Sequence, residues 1–363
     1  MTARSERWLA EPVSPEVEAA LARLCAADDV QQVAVMPDVH LASDVCVGVA
    51  LATTRLVYPA AVGGDIGCGV AALGFDLEAG ALRVATAARL FEALGRAVPT
   101  RRHPRQGPDA LPADVMAAPL SHPRLEALRR RDGAQEFATL GSGNHFVELQ
   151  SDDEGRLWLM LHSGSRVMGQ RIRDHHVAPG LVALEGDAAT AYVNDATWAV
   201  AYAAASRRAM VERVAEVVTR TLGGTAEAAS FIDCDHNHVR AEDPGWVHRK
   251  GAMCARAGDL GVIPGSMGSW SFHVEGRGLP AALASSSHGA GRALSRGDAR
   301  RLIAPAELRR QMRGVFFDPR LERALCDEAP GAYKDITQVM RAQRDLVRIV
   351  RRLRPLLCYK GPG

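Results

Sequence analysis

The sequence predicts an α+β fold, a single layered domain over residues 1–363 in which mixed β-sheets form a central cleft flanked by helices. Three observations predict it. Short apolar segments separated by Gly, Pro and Asp recur along the chain and read as strands. Helical segments fall between them at irregular intervals, so strand and helix do not alternate as a doubly wound sheet requires. The 363 residues are 47% hydrophobic, enough for a large core, and hold no internal repeat or low-complexity tract.

The elements follow in order. Ser14, Pro15 and Glu16 supply an N-cap, a first-turn proline and an acidic first turn ahead of VEAALARLCAA, so a short helix opens the chain. VAVM before Pro37, VCVGVALATT from Val45 and the run from Cys68 to Phe75 are expected strands, and a helix is expected from Leu77 to Ala97. From Pro99 to Pro123 the chain is rich in Pro, Arg and Gly and reads as a surface loop, a candidate substrate contact. FVELQ and LWLMLH, joined by the polar turn SDDEGR, form a hairpin, and an Ala-rich helix is expected from Ala188 to Leu222. Strands surround FIDCDHNH and VIPGSMGSWSF. The chain closes with an expected amphipathic helix from Asp335 to Arg352 and the tail LLCYKG, which reads as a frayed end.

Composition narrows the class. A formal charge of +2 is too small to diagnose nucleic-acid binding, and the arginine clusters at 101–105, 129–131, 309–313 and 341–354 read as solvated helix faces. No run of about 18 apolar residues is present, and MTARSERWLAEP lacks a charged-then-apolar signal, so a cytoplasmic protein without a membrane span is expected. The seven cysteines, at 25, 46, 68, 234, 254, 326 and 358, form no C-x-x-C pair and suggest a metal ligand or reactive thiol rather than a disulfide framework.

The chemistry concentrates in a few segments. In HGAGRALSR, His288 stands among residues too small to shield it, with Arg292 and Arg296 able to grip phosphate as planar forks. GGDIGCGV brings a carboxylate and a thiol, Asp65 and Cys68, to one glycine-rich turn. His145 stands at the mouth of a strand, His162 ends LWLMLH, and His236 ends a third apolar strand, with His238 as its alternative. Four strand ends thus deliver Asp, Cys and three His, the ligand set of a transition-metal site or of two metals sharing ligands in the central cleft. In MPDVH, Asp38 can hydrogen-bond a catalytic imidazole and fix its tautomer, while His40 has no evident role. His103, His122, His175 and His176 lie in polar stretches and are expected to be solvated.

Taken together, MPDVH, GGDIGCGV, LGSGNHFVE, HSGSR, the His-Asn of DCDHNH, VHRKGA, IPGSMGS, SSHGAGR, DEAPGAYKD and YKG resemble, in order and across residues 36–361, the RtcB family of RNA-splicing ligases. The resemblance implies an enzyme that joins an RNA 3'-phosphate or 2',3'-cyclic phosphate end to a 5'-hydroxyl end, with GTP and two Mn2+ ions, through a guanylylated histidine, in tRNA splicing or RNA repair. It makes His288 the nucleophile and Asp38 the residue that orients it. It implies that Cys68 bridges the metals, with His145 and His162 on one and Asp65 and His236 on the other, and it selects His236 over His238. Asn144 and Asn237, with Arg166, Arg292 and Lys250, would contact phosphates. Guanine recognition would fall to Glu148, Ser266, Ser269, Tyr333 stacking on the base, and Lys360.

The chain departs from the family pattern at LASDVCVGVA, which replaces a Pro-Gly-rich stretch after MPDVH, and at Asp235 and Ser287, each preceding a key histidine. These changes bear on the RNA groove rather than on the reacting residues. Two other readings fit the residues in part: a metal phosphoesterase acting on RNA ends, which needs neither His288 nor Lys360, and a non-catalytic RNA-binding protein.

Overall fold

A seven-stranded sheet and a five-stranded sheet carry every strand end named above. The structure is a computed structural model and describes residues 3–42, 44–103, 110–177, 180–243 and 245–361. The larger sheet runs, edge to edge, Leu260–Ile263, Ser271–Gly276, Val347–Lys360, Phe146–Asp152, Arg156–Ser163, Gly69–Glu78 and Ala226–Asp235, each pair antiparallel. The smaller runs Arg4–Arg7, Val30–His40, Val47–Thr53, Gly245–Lys250 and Asn237–Glu242, with its first pair parallel.

The central strands Gly69–Glu78 and Arg156–Ser163 are near-continuous apolar runs because both of their faces are covered. One cover is the helix Gly186–Leu222, close to the expected Ala188 to Leu222. Its small residues matter: a Cβ on Gly67 would stand 2.8 Å from the Val200 Cα and 3.1 Å from the Ala203 Cβ. The helix backbone therefore rests directly on the turn that holds Asp65 and Cys68. The opening helix, Pro15–Cys25, starts as expected, with Ser14 accepting the Val17 N–H.

Three expectations need correction. The expected helix from Asp335 to Arg352 is a short helix, Ile336–Ala342, followed by the strand Val347–Lys360 in the interior of the larger sheet. VRIVRRLR has helical apolar spacing, but Val347, Ile349 and Val350 are β-branched and suit a pleated surface, and sheet partners on both sides decide the outcome. Pro355 is tolerated there because the register shifts between Pro355 and Leu357, where no ladder N–H is required. Most arginines of the 341–354 cluster therefore lie on a strand, and Arg129 of another cluster is buried, donating to the Ala118 carbonyl. The helix expected from Leu77 is Val84–Ala97, since the preceding strand runs on to Glu78. The loop from Pro99 to Pro123 contains a short helix, Ala113–Ala117, and its residues 104–109 lie outside the described residues. Among the described residues, no helix is long and apolar enough to cross a membrane.

Candidate active site

Sheet register gathers the donors. Phe146 pairs with His162, Val70 with His162, and Gly69 with both Ser163 and Asp235, so the ends of four neighbouring strands lie side by side. His145, His162, Cys68 and His236 stand at those ends. His236 is also where the chain leaves the larger sheet, because the next residue, Asn237, begins a strand of the smaller one and pairs with Lys250. The smaller sheet supplies Asp38 from Val30–His40, and the strand Ser285–Ser287 ends at His288.

The donor atoms form two groups that share Cys68. Asp65, Cys68 and His145 place their ligand atoms within 4.8 Å of one another, and so do Cys68, His162 and His236. The grouping differs from the partition that the resemblance implies, in which His145 stands with His162 and Asp65 with His236. The turn fixes it: the Asp65 Oδ2 lies 3.0 Å from the His145 Nε2, while the His162 Nε2 lies 3.4 Å from the His236 Nε2. The Cys68 Sγ is 3.6 Å from the His145 Nε2 and 3.1 Å from the His162 Nε2.

Tautomers follow from the backbone. The Nδ1 of His145 donates to the Leu140 carbonyl and that of His162 to the Asn144 carbonyl, both at 3.0 Å, so each Nε2 is the nitrogen directed at the cluster. Burial, and then His145, hold the His162 imidazole well below its usual range, and burial with His288 does the same for His236. Burial, reinforced by the Asp65 carboxylate, pushes the Cys68 thiol well above its usual range. Imidazole nitrogens crowded around a buried thiol and a carboxylate suit a soft-to-borderline divalent cation at each group.

His288 is held from behind. Its Nδ1 donates to the Asp38 Oδ2 at 2.7 Å, its main-chain N–H reaches the same oxygen at 3.3 Å, and Asp38 is fully buried. The ring borders a cleft of 370 Å³, and its centroid lies 4.7 Å from that of His236. Gly291, with φ +73°, brings its backbone so close to Asp38 that a Cβ would stand 2.2 Å from the Asp38 carbonyl oxygen.

The far end of the cleft is built on Glu328. Its Oε2 accepts from the Lys360 Nζ at 2.6 Å and from the Tyr333 hydroxyl at 2.7 Å, and Arg292 and Arg296 face its Oε1. Burial opposes ionisation of Glu328, but Lys360 and Arg296 outweigh it and hold the carboxyl down at about 2. Lys360 is 4% exposed, so the tail is no frayed end. Glu148 lines the same region, and burial raises its carboxyl to about 7.

Several expected phosphate contacts are already engaged. Arg292 donates to the Leu294 and Asp327 carbonyls, and its guanidinium lies 5.1 Å from the Tyr333 ring centroid. The Lys250 Nζ donates to the Val45 and Ala60 carbonyls, and burial lowers it to about 8. Asn237 donates to the Asp65 carbonyl and accepts the Gly251 N–H, which leaves one amide hydrogen. Asn144 lines the cleft. Arg166, at φ 58°, donates to the Thr139 hydroxyl and packs over Gly141 behind His145. Ser266 lines the cleft, whereas Ser269 supports it from outside, its hydroxyl accepting the Ser266 N–H at 2.7 Å. His238 is buried between Asp235 and Arg249 and is no ligand. His176, expected to be solvated, is bonded to the buried Asp195 at 2.7 Å.

A profile of the family described as tRNA-splicing ligase RtcB matches residues 20–122 and 116–361. The chain belongs to the RtcB family. RNA-splicing ligase RtcB of Escherichia coli K12 is 35% identical over 375 aligned positions, covering 91% of this chain and 90% of that protein. RNA-splicing ligase RtcB2 of E. coli ATCC 25922 is 32% identical, covering 92% of this chain and 89% of its own length. tRNA-splicing ligase RtcB of Pyrobaculum aerophilum is 28% identical over 63% of this chain.

Two residues of this RtcB chain escaped sequence reading. Glu328 lies in DEAPGAYKD, yet a lone glutamate gives no sign of being the hub of four side chains. Arg207, on the Ala-rich helix, is 1% exposed, pairs with Asp233, and donates to the Gly67 and Ser163 carbonyls, bracing the Cys68 turn against the end of the His162 strand. Its only signal is the Arg207-Arg208 pair that follows a run of small residues.

Proposed function

We propose that this chain is a GTP-dependent RNA ligase, one unit over residues 1–363, that joins RNA 3'-phosphate or 2',3'-cyclic phosphate ends to 5'-hydroxyl ends. The observation that carries the reading is the His288–Asp38 pair at 2.7 Å, its open Nε2 facing the shared-thiol cluster. The His288 Nε2 attacks the GTP α-phosphorus, the nitrogen–phosphorus bond forms, and pyrophosphate leaves with the electrons of the broken bond. The Nδ1 proton stays on the ring, hydrogen-bonded to Asp38, whose carboxylate stabilises the imidazolium as it forms. An RNA 3'-phosphate oxygen then takes the GMP, which frees His288 and leaves a guanosine-capped 3' end. The 5'-hydroxyl attacks the capped phosphate, and GMP departs.

Two Mn2+ ions, held by Asp65, Cys68 and His145 and by Cys68, His162 and His236, would neutralise charge on the phosphoryl oxygens when bound. Lys360, Tyr333, Glu148 and Ser266 would enclose guanine, with Glu148 accepting its ring and exocyclic N–H groups. A phosphoesterase reading leaves both the His288–Asp38 pair and the Glu328 hub without a task. The test is intact-mass measurement after incubation with GTP and MnCl2. A gain of one GMP, acid-labile and base-stable as a phosphoramidate is, supports the reading, and an unchanged mass or a lysine adduct ends it.

Gly291→Ala should lower both stability and guanylylation. A side chain at positive φ costs about 1–2 kcal/mol, and the clash with the Asp38 carbonyl must move one half of the His288–Asp38 pair. Misplacement on that scale slows a reaction by about a hundredfold, read as adduct formation against melting temperature. Parental guanylylation in this variant would show that the close approach is incidental.

Glu148→Gln should separate stability from guanine choice. Because the folded carboxyl is raised from 4.5 to about 7, the unfolded chain loses its proton first, and stability falls as pH rises through that window. The loss, about 3 kcal/mol when complete, is removed in the Gln variant, which should unfold later than the parent at pH 8 and no later at pH 4.5. The same variant should discriminate GTP from ITP less well. Equal denaturation midpoints at both pH values would contradict this account.

A further inference from the structure

Three serines lead into His288, and all are buried. The strand Ser285–Ser287 pairs with Ala252–Cys254, and strand geometry places the Ser285 and Ser287 side chains on one face. Each is held. The Gln343 side chain takes Ser287 at two points, its Oε1 accepting the main-chain N–H at 3.0 Å and its Nε2 donating to the hydroxyl at 2.7 Å. A main-chain N–H can only donate, which fixes the orientation of the amide. Arg249, itself fully buried, takes Ser285: its Nε donates to the hydroxyl and its Nη2 to the Leu283 carbonyl, both at 2.8 Å.

Two observations set this clamp apart from ordinary core filling. Leu283 and Ala284, immediately before the strand, both lie in the left-handed region, at φ 51° and 43°. Residues bearing a Cβ adopt it at a cost, so such a turn persists only where its surroundings over-determine it. The second observation is the setting of Gln343. It is fully buried, its Nε2 lies 3.3 Å from the Met340 sulfur, and Met340 belongs to an apolar cluster with Ala252, Met253 and Ala290. A buried amide costs free energy unless it is bonded, so an apolar side chain of the same shape would fill this space more cheaply. What the amide adds is direction.

Asp38 holds His288 from one side, and the serines hold it from behind. A nucleophile must stand at the right distance from the atom it attacks as well as face it. We propose that Gln343 is a positioning residue for guanylylation: by gripping Ser287 it sets the place from which the His288 Nε2 reaches the α-phosphorus, while Arg249 fixes the start of the same strand. The inference rests on the ligase reading. Gln343 belongs neither to the wall of the cleft nor to the two donor groups, so it acts only through Ser287 and His288. The nitrogen–phosphorus bond that forms and the pyrophosphate that leaves are the same with or without it; the approach differs. Sealing makes another demand. RNA that already carries its guanosine cap needs no nucleophile at His288, so the clamp should govern the first step and leave the last unchanged.

The test uses the full chain with GTP and MnCl2, and RNA already capped with guanosine at its 3'-phosphate. Gln343→Met keeps the shape and removes both bonds. At saturating GTP it should take up GMP about tenfold to a hundredfold more slowly, the scale on which misplacement by up to about 1 Å slows a reaction. The GTP concentration for half-maximal rate, the bound metal and the sealing of capped RNA should all match the parent. Gln343→Glu, whose carboxyl can accept both the Ser287 N–H and its hydroxyl proton, should recover most of the uptake rate. Parental uptake in Gln343→Met overturns the proposal. Equal slowing of uptake and sealing, or loss of metal, also overturns it, since either would mean a general loosening of the fold. A change confined to half-saturation does so as well, because the effect would then lie at the guanine end. If Gln343→Met does not fold, Ser287→Ala, which loses only the hydroxyl's bond, decides: it should slow uptake without slowing sealing, and parental uptake in it overturns the proposal. A parental protein that neither takes up GMP nor seals overturns the ligase reading, and this proposal with it.

Discussion

His288→Ala should take up no GMP from GTP and join no RNA, yet bind its metal ions as the parent does. The side chain belongs to neither donor group, so its loss removes the nucleophile and leaves Asp65, Cys68, His145, His162 and His236 in place. Asp38→Asn should keep the shape of the site but lose the charge that offsets the imidazolium, slowing guanylylation by about a hundredfold or more, as loss of one preorganised electrostatic partner does. Intact-mass analysis reads the first effect, single-turnover labelling the second, and metal analysis the control. A His288→Ala protein that still gained GMP would place the nucleophile elsewhere.

Cys68→Ala should have the next largest effect, because one sulfur serves both donor groups. Bound metal should fall from two ions towards none, and joining by about a thousandfold or more, the loss expected when a complete charge clamp is removed. His145→Ala touches only one group and should lower the stoichiometry by about one ion per chain. The buried thiol resists ionisation, so metal must displace its proton, and affinity should rise with pH. Zinc should bind more tightly than manganese, since divalent affinity rises along that series. Elemental analysis after dialysis would decide the matter: two ions retained by Cys68→Ala would disprove a shared thiolate.

The donors were legible because each stands where an apolar strand ends in a glycine-rich or polar turn, a local pattern that survives without coordinates. LWLMLH before His162 and FIDCD before His236 are examples. The grouping of the donors was not legible. Which imidazole faces which neighbour depends on register between strands far apart in sequence, Val70 against His162 and Gly69 against Asp235. The availability of cations was hidden for a similar reason. Lys250 and Arg292 look free in the sequence, but carbonyls brought close by other segments engage them.

Sequence by itself picked out the α+β class, the long helix and the side chains that the fold gathers at one place, because apolar periodicity, turn residues and side-chain chemistry are properties of short segments. Tertiary structure alone decided that VRIVRRLRPLLCYK is an interior strand, that Lys360 ends in a buried ion pair with Glu328, and that Asp38 reaches both His288 and His40. Each of these depends on contact between segments distant in the chain. Ambiguous local propensity yields to sheet pairing, and a buried charge persists only where the fold delivers its partner.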